Sequence, residues 1–279
     1  MPAPFTKTIR GAEVPTVGLG VFEVERHEAA DTVADAIAAG YRHVDTATAY
    51  GNEREVGEGI RRSGVDRAEV WVTTKVWIDD LPPDRLRRSA EGSLRRLGLD
   101  RVDLLLIHWP PADPGAVPPA LDELRRLREE GLVREFGVSN FPGYMLREAL
   151  GHAPEIFADQ VEYHAKLSQG ELRELAAEHD LLLEAYAPLG GSASKMVGEP
   201  LLKEVAAEHD ATPAQVALAW LARQERVVLL PRSTDPNRRR ENLAALELDL
   251  GDEDVRRLDE LSERRERYFD PSFAPDWRD

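Results

Sequence analysis

The 279-residue sequence contains no cysteine, which excludes a thiol nucleophile, a disulfide framework and cysteine-ligated zinc. No metal site is expected. No apolar run approaches 18 residues, and the start MPAPFTKTIRG lacks an apolar core, so neither a membrane span nor a signal peptide is expected. An excess of positive charge is also missing. Acidic residues number 52 against 36 basic, a net charge of −16, which argues against nucleic acid or an anionic membrane as partner. Lysine is scarce, at Lys7, Lys75, Lys166, Lys195 and Lys203, so arginine supplies nearly all the basic charge. Any anionic ligand must therefore be held by a local basic cluster working against the global field. A cytoplasmic location is expected.

What is present is an alternation of short apolar runs with amphipathic stretches. A hairpin is predicted over 5–17, turned at Arg10-Gly11-Ala12-Glu13. Strands are predicted over 17–20, 41–44, 69–75, 103–107, 133–138, 156–161, 181–185 and 227–230. Helices are predicted over 27–39, 53–62, 84–97, 119–130, 143–150 and 170–179, then over 236–245 and 252–263. Eight strands with helices between them match a (β/α)8 barrel, and 279 residues suit one such domain spanning 1–279. An open doubly wound sheet is the competing reading. It is weakened because Gly18-Leu19-Gly20 runs on into Val21-Phe22-Glu23, with no G-x-G-x-x-G. The segment 268–279 is aromatic without helical periodicity, and should lie over the barrel mouth as an extended flap.

Four polar residues fall at or just past strand ends: Asp45, Tyr50, Lys75 and His108. Singly, each has a bland reading. Lys75 reads as a solvated or ion-paired residue, Asp45 as a turn cap, Tyr50 as a packed loop aromatic and His108 as a core histidine. Parallel strands, however, bring all their C-terminal ends to one face, where the four meet. A phenol ordinarily titrates near 10. A neighbouring ammonium is expected to lower that value, and an aspartate to hold the lysine charged. An imidazole can orient a carbonyl or relay a proton. Together they form a device for protonating a carbonyl oxygen.

The segments carrying these residues resemble the aldo-keto reductase superfamily and, within it, the 2,5-diketo-gluconate reductases. They are Asp45-Thr46-Ala47-Thr48-Ala49-Tyr50-Gly51-Asn52-Glu53, Thr73-Thr74-Lys75-Val76-Trp77 and Leu106-Ile107-His108-Trp109-Pro110. Gly137-Val138-Ser139-Asn140-Phe141, Gln160-Val161-Glu162-Tyr163-His164, Ala185-Tyr186-Ala187-Pro188-Leu189-Gly190 and Leu230-Pro231-Arg232-Ser233-Thr234 continue the likeness. The resemblance implies an NADPH-dependent reductase of aldehydes and ketones, with NADH also accommodated and a monomer as the default. It implies Tyr50 as general acid, Lys75 and Asp45 as the pair that tunes it, and His108 as the orienting group.

The same resemblance implies that Ser139, Asn140 and Gln160 hold the nicotinamide carboxamide and that Tyr186 stacks on the ring. Ser139-Asn140 also reads as a helix cap. Pro188, Leu189 and Gly190 would cover the pyrophosphate. Arg232, Ser233, Thr234 and Arg238 would take the adenosine 2′-phosphate, with Glu241 and Asn242 at the adenine. Arg239 and Arg240 read as solvated surface residues, and Asp235 as an anion opposing the phosphate. Asp159 stands where an asparagine is usual. Phe22, Trp77 and Trp109 are the expected walls of a substrate pocket. The loop 110–118 carries no Arg or Lys, which favours a small-molecule carbonyl substrate that is mostly neutral. Two alternatives stay open: a Schiff-base aldolase acting through Lys75, and a non-catalytic nucleotide-sensing relative.

Overall fold

A computed structural model describes residues 5–191 and 195–277. Strands β1 (Thr6–Ile9) and β2 (Ala12–Pro15) form the antiparallel hairpin, turned where Arg10 and Gly11 take positive φ. The chain then alternates β3 (Leu19–Gly20), α1 (Arg26–Ala39), β4 (His43–Asp45), α2 (Glu53–Arg62), β5 (Trp71–Val76), α3 (Pro83–Leu97), β6 (Val102–Ile107) and α4 (Val117–Glu129). It continues with β7 (Val133–Ser139), α5 (Gly143–His152), β8 (Ala158–Glu162), α6 (Gly170–His179) and β9 (Leu182–Tyr186). Helices α7 (Pro200–Glu208) and α8 (Pro213–Ala222) precede β10 (Val227–Leu230), and α9 (Pro236–Ala244) and α10 (Asp252–Ser262) follow it.

Strands β3 to β10 pair in parallel in chain order. The two edges meet through the Val17–Leu229 bridge, with Gly18 N–H donating to Leu229 O at 2.7 Å and Leu229 N–H to Thr16 O at 2.8 Å. The architecture is the (β/α)8 barrel expected. Helices α7 and α8 lie where no element was predicted. The signal for α8 was nevertheless present: Thr212 and Gln215 form a reciprocal capping box around Pro213 at the first helical position.

The period-two alternation of strands sorts the interior. Residues of one parity pack outward against the helices, as Leu105, Ile107, Val138 and Leu183 do. Residues of the other parity fill the lumen. At the N-terminal end the lumen is apolar, where Trp71, Leu104, Leu182 and Val228 pack against Ile9 and Val14 of the hairpin. Toward the C-terminal end it turns polar, with His43, Asp45, Thr73, Lys75, Gln160 and Glu184 all buried. Burial of so many polar side chains is costly unless each finds a partner, so their pairing defines the site. Among the described residues no helix is long and apolar enough to cross a membrane.

Candidate active site

Asp45 ends β4 and Lys75 sits near the end of the adjacent β5; both are inward-facing and buried. Lys75 Nζ donates to both Asp45 oxygens, at 2.8 and 2.7 Å, and to the Thr46 carbonyl at 2.8 Å. It also lies 3.2 Å from the Tyr50 hydroxyl. Tyr50 reaches this point because the chain after β4 makes one 3-10 turn, Thr48–Tyr50, closed by Gly51 at φ 69. That left-handed conformation suits glycine. The turn is fastened to β5 by the Thr48 hydroxyl, which donates to Lys75 O at 3.0 Å. Asn52, fully buried, holds the other side by donating to Val21 O and accepting from Thr46 Oγ1.

His108 follows β6 and faces Tyr50 edge-on, ring centroids 5.5 Å apart, and meets Trp77 edge-on at 5.2 Å. Its Nδ1 has no protein partner among the described residues. Burial, aided by the charge of Lys75, holds the imidazole well below its ordinary titration range, so it is neutral at pH 7. Burial opposes the charge on Lys75, but Asp45 and Tyr50 outweigh it and raise its pKa. Tyr50 departs from expectation. Burial raises its pKa, and Lys75 pulls the other way without winning. The lysine acts in the expected direction, yet desolvation of the phenolate dominates, and Tyr50 holds its proton at neutral pH.

A cleft of about 850 Å³ opens over these residues. One arm is lined by Ser139, Asn140, Gln160, Tyr186, Pro188, Leu189, Arg232, Ser233, Thr234 and Arg238. The Ser139 hydroxyl donates to Gln160 O at 2.8 Å, and Asn140 donates to His108 O at 3.0 Å. The Tyr186 hydroxyl donates to Asn140 Oδ1 at 2.8 Å, and its ring forms part of the cleft wall. Asn140 sits at φ 64, a conformation asparagine tolerates. Neither Ser139 nor Asn140 caps α5, whose N-cap is Pro142, so the cap reading fails. Gln160 spends its Nε2 on Asp45 Oδ1 and Glu184 Oε2, both at 2.8 Å. Its Oε1 is left without a hydrogen bond among the described residues.

The basic arm is more committed than expected. Arg232 donates to Glu23 O at 3.1 Å and lies 3.4 Å from the Glu23 carboxylate. Arg238 is exposed and forms no ion pair among the described residues. The exposed Asp235 side chain accepts from Asn237 N–H at 2.8 Å as the cap of α9. Arg239 corrects the solvated reading. It is 1% exposed, donates to Ser233 O at 3.2 Å and lies 3.4 Å from Asp35. Arg240 donates to Asn237. Glu241 and Asn242 are not on the cleft wall. Glu241 accepts from Thr212, and Asn242 is buried beside Tyr41. Gly190, at φ 81, turns the loop without lining it.

On the other arm Phe22, Trp77 and Trp109 line the cleft, and the tail completes the wall with Tyr268, Phe269 and Phe273. Phe273 packs edge-on against Trp77 at 5.5 Å and Trp109 at 5.4 Å. Trp277 meets Trp109 at 6.2 Å. The tail thus covers the mouth as expected; the last two positions of that segment, 278 and 279, lie outside the described residues.

Three buried residues of the lumen and rim were not anticipated: His43, Glu184 and Glu162. Glu184 pairs in register with Gln160 on the neighbouring strand, so strand alternation was the available signal. Burial first, then the charge of Asp45, pushes the Glu184 carboxyl up to about 8. Burial and Lys75 push His43 down to about 3. At neutral pH both are uncharged, and their 3.6 Å approach is not an ion pair. Asp159, facing away from the lumen, is buried with both oxygens unpartnered by side chains; burial raises its pKa well above the usual carboxylate range.

The barrel thus carries a buried Lys–Asp pair beneath a tyrosine at the C-terminal ends of its strands. Residues 16–263 match the model of the aldo/keto reductase family, and the chain belongs to that family. It is 41% identical over 261 residues to an aldo-keto reductase of Mycolicibacterium vanbaalenii, covering 92% of each chain. It is 41% identical over 266 residues to a 9,11-endoperoxide prostaglandin H2 reductase of Trypanosoma cruzi, covering 94% of this chain and 93% of the other. A crystal structure assigned as a 2,5-diketo-D-gluconic acid reductase B superposes with a TM-score of 0.93 at 37% identity, covering 98% of both chains. Membership implies an oxidoreductase of carbonyl compounds.

Proposed function

We propose that the protein is an NADPH-dependent reductase of small, mostly neutral aldehydes and ketones, with Tyr50 as the general acid. The observation that carries this reading is the contact of the Tyr50 hydroxyl with Lys75 Nζ at 3.2 Å, on the floor of the cleft beside neutral His108. A phenol that keeps its proton at pH 7 and opens onto a cleft is an acid waiting for a carbonyl oxygen. Neutral His108 keeps one N–H with which to orient that oxygen.

The residues present fit a nicotinamide dinucleotide. Gln160 has its amide orientation fixed by two acceptors on Nε2, so Oε1 is left to accept from a carboxamide. Tyr186 offers a flat ring, and Arg238 an uncommitted guanidinium suited to phosphate. When bound, the nicotinamide supplies hydride to the carbonyl carbon. The protein holds the carbonyl, excludes water with its aromatic rim and delivers a proton from Tyr50 Oη.

Among the described residues the cleft's positively charged lining residues are Arg232 and Arg238, both on the arm after β10, while Glu23, Glu28 and Asp270 add negative charge. This supports neutral over anionic substrates. The aldolase alternative needs a neutral, nucleophilic Lys75, and Asp45 holds that lysine protonated. Steady-state kinetics with NADPH and NADH across neutral aldehydes, diketones and sugar acids test the proposal. Consumption of NADPH with neutral aldehydes is expected. No turnover with any carbonyl, or borohydride trapping of substrate on Lys75, would overturn it.

A further inference from the structure

Glu162 ends β8 two residues beyond Gln160, yet it is fully buried, lies off the cleft wall and, among the described residues, forms no hydrogen bond or ion pair with Asp45, Tyr50, Lys75 or His108. A carboxylate so placed needs donors, and the tail supplies them. Tyr268 N–H donates to Oε1 at 2.7 Å and Phe269 N–H to Oε2 at 3.0 Å. His164 Nε2 lies 3.0 Å from Oε1, and Arg267 lies 4.0 Å from Oε2. The Tyr268 ring is held further, stacked on His164 at 4.8 Å and met by Lys195 Nζ at 4.3 Å. Just upstream, Glu266 N–H donates to Lys166 O at 2.7 Å.

We propose that Glu162 is a positioning residue for substrate selectivity: it clamps the main chain at Tyr268 and Phe269 and so holds the aromatic tail as a wall of the pocket. The inference rests on the reductase reading of that pocket. The described tail beyond α10 has no helix or strand of its own to fix it. From the clamp it runs to Phe273, which closes on Trp77 and Trp109. Phe269, the second clamped residue, packs against Phe22 at 6.5 Å and Tyr186 at 5.6 Å. Charge-assisted bonds to main-chain N–H groups are stronger than neutral ones, which suits a carboxylate to this task.

Hydrogen exchange on the full chain reads the clamp directly. In Glu162→Gln the amides of Tyr268 and Phe269 are expected to exchange ~10–100-fold faster than in the wild type, while the barrel strands stay protected. In the same variant kcat/KM for 4-nitrobenzaldehyde should fall about tenfold, mainly through KM, with propanal changed less than about twofold. Glu162→Asp, which keeps the charge but shortens the reach to both main-chain amides, should shift both readouts the same way and answers should Glu162→Gln fail to fold. Unchanged exchange at these amides overturns the clamp. Faster exchange with unchanged selectivity overturns the role in substrate choice. Absence of turnover in the wild type would count against the reductase reading, whereas the exchange result judges the clamp independently.

Discussion

Lys75 Nζ stands 3.2 Å from the Tyr50 hydroxyl, while its other donor directions are taken by Asp45 and the Thr46 carbonyl. The ammonium cannot swing away from the phenol without breaking a buried ion pair. In the proposed mechanism Tyr50 is the mobile-proton partner and Lys75 the fixed one. Tyr50→Phe should lower kcat by about 10²–10⁴-fold, the usual contribution of a positioned general acid. Cofactor affinity, read by fluorescence titration, should be unchanged. Comparable turnover in this variant would remove Tyr50 from the mechanism.

Lys75→Met removes one member of a buried pair and leaves Asp45 unpaired. A loss of about 3–5 kcal/mol of stability is expected, together with loss of turnover. Adding Asp45→Asn should restore part of the stability and none of the activity. Urea denaturation and steady-state rates on the three proteins check both halves.

Arg238 has no ion pair among the described residues to compete with a ligand phosphate, whereas Arg232 is tied to Glu23. Arg238→Ala should raise KM for NADPH by ~10–100-fold, the range for losing a charge-assisted bond. KM for NADH, which lacks the 2′-phosphate, should change little. Equal effects on both cofactors would detach Arg238 from phosphate recognition.

The barrel was legible because its strands are short apolar runs bounded by turn residues, and the catalytic candidates because each lies at or just past the end of such a run. Helix α8 was harder to read although Thr212-Pro213-Ala214-Gln215 carries a start signal. Seven of its ten residues are buried, so apolar side chains occupy most of its circumference and blur the 3.6-residue period. Arg239 shows a different limit. Within a run of three arginines nothing local distinguishes the one that is buried, because its partners Asp35 and Ser233 come from a distant helix and the preceding loop. The Tyr50 titration departs from expectation for a third reason. Motif chemistry names the charged neighbour, but desolvation depends on the full packing around the ring.

His43 titrates at about 3 in the folded protein against an ordinary 6.5, with burial as the main cause. Its folded-state pKa is depressed, so the unfolded chain binds the proton first. The associated stability is present above pH 6.5 and is lost as pH falls toward 3. His43→Gln should flatten the acid limb of a stability-versus-pH curve measured by urea denaturation. An unchanged slope between about pH 6.5 and 4 would assign that limb to other groups.

Glu184 acts with the opposite sign. Its carboxyl is pushed up to about 8 from an ordinary 4.5, because the buried site penalises the charged form and Asp45 repels it. Between those values the unfolded chain releases the proton and the folded one keeps it. Stability is therefore complete below pH 4.5 and is lost progressively as pH rises to about 8. Glu184→Gln keeps a neutral side chain of the same shape beside Gln160 and removes the titration. That variant should gain on the wild type with rising pH, the gap widening from about pH 5 to 8 and then levelling. Ionisation at Glu184 would also set a second negative charge next to the Asp45–Gln160 contact, so wild-type activity should decline above about pH 8 more steeply than in the variant. Parallel stability curves for the two proteins over this range would show that Glu184 is ionised in the folded state at neutral pH.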